Sequence, residues 1–64
     1  MAIPLKTIFG YYSAIALCER DGCWLRYEVR VYHRTFPLDY TVALATDSLS
    51  AAERAFDARA AQVI

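Results

Sequence analysis

A chain of 64 residues with seven basic and seven acidic side chains has room for one domain, 1–64, whose stability is expected to be a few kcal/mol, ~3–5 for a core this small. An apolar content of 58%, with two glycines and two prolines, argues for a folded domain over a disordered tail, and zero net charge removes the electrostatic case for tight phosphate binding. Two cysteines are too few for a disulfide scaffold, and no apolar run reaches the ~20 residues of a membrane-spanning helix.

In chain order, Met1 to Pro4 reads as a lead-in and Lys6 to Glu19 as a first strand. Within that strand, Ile8 to Cys18 loosely mimics a secretory signal, because Lys6 precedes an apolar stretch and Ala14-Ile15-Ala16 has the small-residue pattern of a cleavage site. One basic residue is a thin charged region, and Tyr11, Tyr12 and Ser13 interrupt the stretch, so a strand in a cytoplasmic protein is the expectation. Arg20-Asp21-Gly22 is a turn signal. Cys23 to Arg34 then alternates with period two, the mark of a half-buried strand. Cys23, Leu25, Tyr27, Val29 and Val31 point one way; Trp24, Arg26, Glu28, Arg30, Tyr32 and Arg34 point the other.

A three-residue turn with Gly22 in the left-handed region sets Leu17 opposite Leu25, Ile15 opposite Tyr27, Tyr11 opposite Val31 and Phe9 opposite His33. That register gathers the large apolar residues on one face, whereas a one-residue slip scatters them. It keeps Cys18 and Cys23 on opposite faces, so no disulfide between them is expected.

Pro37 falls in the next connection, Thr35 to Asp39, since proline is excluded from interior strand positions. Tyr40 to Thr46 is the third strand, with Tyr40, Val42 and Leu44 on one face and Thr41, Ala43 and Ala45 on the other. A helix follows to Val63. Ser50-Ala51-Ala52-Glu53 fits a capping box, with Asp47 or Ser48 as caps one turn earlier. Ala52, Phe56, Ala60 and Val63 form its apolar stripe, and Arg54, Asp57 and Arg59 belong outside. The expected fold is α+β: a three-stranded antiparallel β-meander with one C-terminal helix on one face, βββα.

Catalysis and cofactors find little footing. Cys18, Cys23 and His33 lack the spacing of a zinc site. A Cys23–His33 pair would be ~30 Å apart along an extended strand. Glu28 stands between Arg26 and Arg30, neighbours that favour the ionised carboxylate over general-acid duty. The glycines are isolated and make no phosphate loop. A non-enzyme with no cofactor and no metal is expected.

The outer row therefore carries the functional expectation. Trp24, Arg26, Glu28, Arg30, Tyr32 and Arg34, with Tyr12 beside them, hold the residue types enriched at interface hot spots. As a purely structural face, the row would amount to an Arg-Glu-Arg ladder with Arg30 stacked over Tyr12. As a site, it points to a binding module that occupies a protein partner's surface. The first strand, uncharged between Lys6 and Glu19, is an edge through which a homodimer could form by strand addition.

Two resemblances bear on partners. In size and style the chain resembles small phage- or mobile-element-encoded inhibitors of host complexes, anti-CRISPR proteins included, though no residue motif carries this. In element order, Gly22-Cys23-Trp24 opening a strand, an Arg-rich strand, and Ser50-Ala51-Ala52-Glu53 opening a helix are similar to AP2-like domains and the arm-binding domains of tyrosine integrases. That second likeness covers Asp21 to Gln62 and implies nucleic acid as the alternative partner, met by Trp24, Arg26, Arg30 and Arg34. The chain departs from the pattern in its neutral charge and in Glu28 at the centre of the face.

Overall fold

A computed structural model describes residues 2–33 and 38–63. The element order is β1 (Ala2–Phe9), β2 (Ala14–Arg20), β3 (Tyr27–Tyr32), β4 (Tyr40–Thr46) and α1 (Leu49–Val63). The strands form one antiparallel sheet in the order β1-β2-β3-β4. The expected three-stranded meander is thus corrected to four strands and a helix.

The extra strand comes from the amino-terminal stretch. What reads as one strand from Lys6 to Glu19 is two, folded back at Gly10–Ser13, where the Gly10 amide donates to the Ser13 carbonyl at 2.7 Å. The expected lead-in belongs to β1, which starts at Ala2. Pro4 is tolerated because β1 is an edge strand, where a missing amide donor costs no ladder bond, and the pairing with β2 shifts between Pro4 and Lys6.

The β2–β3 register is displaced by four residues from the expected one. Leu17 lies opposite Val29 and Ile15 opposite Val31, so the core pairs are β-branched residues in place of Leu25 and Tyr27. An even displacement keeps every side chain of the paired strands on its expected face. It also lengthens the loop: β3 begins only at Tyr27, and the Arg20 amide donates to the Arg26 carbonyl at 2.6 Å to close it. Gly22 does take the left-handed conformation, with φ of 79°, within this longer turn. Cys18 and Cys23 are free thiols, the first buried and the second half-buried in the loop.

β4 has the expected bounds, but its alternation breaks. The register with β3 shifts between Val29 and Arg30, so Val42 opposes Arg30 while Leu44 opposes Val29. Ala43 is the extra residue of a β-bulge. Tyr40 and Val42 therefore share a face with Arg30 and Tyr32, and Leu44 crosses to the other side.

The helix packs over β2, β3 and β4. Its cap is Ser48, whose Oγ accepts from the Ala51 amide at 3.3 Å, and the first backbone bond runs from the Ala52 amide to the Ser48 carbonyl. Ser50 lies inside the helix. Glu53 reaches Lys6 of β1 at 3.5 Å, tying the edge strand to the helix, and the Lys6 ammonium also sits 5.5 Å from the Phe56 ring centre. Ala52, Phe56 and Ala60 are buried on Ile15, Leu17 and Val29, with Ile8, Tyr27, Val31 and Ala43 around them. This is the main core, on the helix face of the sheet. No helix among the described residues is long and apolar enough to cross a membrane.

Candidate functional site

The other face of the sheet has no helix, yet its centre is dry. Ala14, Ala16 and Cys18 of β2 are buried together with Tyr32. The cause lies in side-chain sizes across the β2–β3 pair: Ala14 faces Tyr32, Ala16 faces Arg30 and Cys18 faces Glu28. Directly opposed residues share a face, so the long side chains of β3 fold over the short ones of β2 and seal them.

The lid is a connected polar network. Glu28 is only 2% exposed. Its Oε1 accepts from Arg20 Nη1 at 3.1 Å, and its Oε2 accepts from Arg30 Nε. Arg30 donates onward through Nη1 to the Tyr32 hydroxyl at 3.2 Å, and its guanidinium lies 4.3 Å from the Tyr40 ring centre. Tyr32 and Tyr40 are themselves in ring contact at 5.2 Å. Burial disfavours the Arg30 charge, but the hydrogen bonds to Tyr32 and Glu28 and the Glu28 charge outweigh it, holding the guanidinium above its ordinary pKa. Charge-assisted bonds of this type fix both position and angle of an arginine. Toward the Arg30–Tyr32 end of the network, away from Arg20, Phe9, Tyr40 and Val42 are 66%, 40% and 44% exposed and form an apolar rim.

The expected row of site residues does not stand together. Glu28, Arg30 and Tyr32 do share one face and touch each other. Trp24 is 96% exposed and lies in the β2–β3 loop, as does Arg26, which pairs with Glu19 at 3.4 Å. Tyr12 sits in the β1–β2 turn, edge-on to Tyr11 at 4.5 Å, so the ring under Arg30 is Tyr40 and not Tyr12. Phe9 and Tyr11, expected in the core, are exposed instead. Arg34 lies outside the described residues. The Arg-Glu-Arg arrangement exists with a different member: Arg20 takes the place of Arg26.

Arg20, Cys18 and Tyr40 belong to this site and escape a reading by alternation. Arg20 looks like a turn residue, and only the four-residue displacement brings it to Glu28. A single carboxylate set against the small apolar residues Ala14, Ala16 and Cys18 of the neighbouring strand was the available signal, because such a group needs cationic partners when buried.

Shallow hollows of 240, 320 and 300 Å³ lie near Tyr11, Tyr12, His33 and Arg59; the first also touches Phe9 and Ala14 and the third Val42, at the edge of the open face. His33 Nε2 is 3.1 Å from Thr41 Oγ1 there. Among the described residues no three of His, Cys, Asp and Glu cluster as metal ligands.

No family model matches the chain, and no characterised protein or solved structure matches it.

Proposed function

We propose that this chain is a non-enzymatic binding module that occupies the surface of a protein partner through the open face of its sheet, with Trp24 of the adjoining loop as a further contact. The observation that carries this is the face itself: a rigid Arg–Glu–Arg–Tyr network at the centre and an exposed apolar rim of Phe9, Tyr40 and Val42. Tyrosine, tryptophan and arginine are the hot-spot residue types. Side chains already held in place lose little entropy on binding. Obstruction of a larger complex is the form of action that suits a module this small.

A protein is favoured over nucleic acid by charge. Arg20 and Arg30 share Glu28, and Arg26 has Glu19. Affinity for a phosphate backbone grows with each phosphate neutralised, and paired arginines neutralise few. Self-pairing through the amino-terminal strand is disfavoured by Pro4, Lys6 and the register shift between them, all features that blunt an edge.

A photo-crosslinking residue placed at Val42 on the open face, and separately at exposed Asp57 of the helix, tests this in the source cell. One discrete protein adduct from position 42 and none from position 57 is expected. Equal labelling from both positions, or adducts to nucleic acid only, would sink it.

A further inference from the structure

The partner's chemistry is constrained by the charge balance of the open face. Strand register puts three charged side chains there among the described residues: Arg20, Arg30 and Glu28. Among these three, one carboxylate serves two guanidiniums and leaves one positive charge uncompensated. Arg30 is largely covered, but the Arg20 side chain is 42% exposed. Glu28 holds Arg20 at the end of the face beside Ala2 and Pro4 of β1, with Phe9 and Tyr40 at the opposite end and Val42 between, so the free charge has a defined place.

We propose that the open face receives a segment of a different protein that presents one Asp or Glu carboxylate among apolar residues, with the carboxylate seated on Arg20. This rests on the protein-binding reading above. The excess of one charge matches one carboxylate. An apolar segment without one would bury Arg20 with its charge uncompensated, which is costly. A basic segment would meet like charge. A second copy of this chain in a two-fold arrangement would bring the same positive centre against itself, and among the described residues neither copy has an unused carboxylate on the strands of this face to offer.

The test is selection of random displayed peptides on the full-length chain immobilised through its carboxyl end. Enriched peptides are then synthesised and their affinities measured by fluorescence anisotropy. Peptides carrying an acidic residue flanked by apolar ones are expected. Replacing that residue by its amide should weaken binding roughly ten- to a hundredfold, the worth of one charge-assisted hydrogen-bonded contact. Arg20→Gln, checked for folding by circular dichroism, should erase the difference between acid and amide peptides. The acid-to-amide change leaves the protein untouched, so the comparison holds even if Arg20→Gln does not fold. Peptides that depend on the open face, losing affinity with Val42→Asp, but that lack an acidic residue or bind equally as amides, would overturn the carboxylate inference and leave the protein-binding reading standing. If no peptide depends on Val42, both fall.

Discussion

Arg20 and Glu28 meet across the β2–β3 pair at 3.1 Å, between the last residue of one strand and a carboxylate that is 2% exposed near the start of the next. The same carboxylate accepts from Arg30, two residues along its own strand. This pairing lets the open face close over Ala14, Ala16 and Cys18 without a helix. A buried carboxylate with two cationic partners is tolerated; one deprived of them is not.

Glu28→Gln should therefore destabilise the fold by about 2–3 kcal/mol, at the low end for a broken buried ion pair because Arg20 is partly in water and screened. Arg20→Gln should cost less than Glu28→Gln, since Arg30 still serves the carboxylate. Urea unfolding followed by circular dichroism measures both. Equal stability of wild type and Glu28→Gln would mean the network contributes nothing net.

Much of the face assignment was legible in the sequence, while the strand count was not. Period-two alternation correctly put Tyr27, Val29 and Val31 on the helix side and Glu28, Arg30 and Tyr32 on the other. The four-residue displacement leaves those faces unchanged, so no pattern of apolar residues could detect it. Gly10–Ser13 went unseen as a turn because Tyr11 and Tyr12 at its centre look like strand residues. Pro4 read as a boundary, although an edge strand accepts proline. The site was half legible for the same reason: Glu28 and Arg30 follow from alternation, but Arg20 and Tyr40 reach them only through register.

Phe56 is 3% exposed at the centre of the helix–sheet core, and Phe56→Ala should cost about 3–5 kcal/mol. In a domain whose whole stability is ~3–5 kcal/mol, that loss unfolds a large fraction of the molecules at 25 °C, visible as collapse of dispersion in a proton NMR spectrum. Trp24→Ala is the contrast. With the indole 96% exposed, its unfolding midpoint should stay within about 0.5 kcal/mol of wild type, while any partner that uses the loop should lose affinity.

Gly22 has φ of 79°, and a Cβ built there meets nothing within 4 Å. Space is not the obstacle to a side chain, so the cost of Gly22→Ala is purely conformational, about 1–2 kcal/mol for an L-residue held in the left-handed region. Gly22→Asn should cost less, because asparagine visits that region more readily. Identical denaturation midpoints for the alanine and asparagine variants would show that the loop relaxes out of the left-handed turn.

Cys18 ties stability to alkaline pH. Burial raises the pKa of its thiol above the ordinary 9.0; the charge of Arg30 pulls the other way, and that of Glu28 adds to the rise. The folded state thus holds the thiol proton more tightly than the unfolded chain does. Stability from this difference is fully present below pH 9.0 and is lost as pH climbs through the raised folded value. Tyrosine and lysine titrations are common to wild type and Cys18→Ala and largely cancel in the comparison. Guanidinium melts of both proteins from pH 7 to 10.5 should show wild type declining faster above pH 9, so that its advantage over Cys18→Ala shrinks. At neutral pH the same burial should let an aromatic disulfide reagent label Cys23 promptly and Cys18 only on unfolding. A stability gap between wild type and Cys18→Ala that does not change across this range, together with rapid labelling of both thiols, would place Cys18 in water and remove the seal over β2.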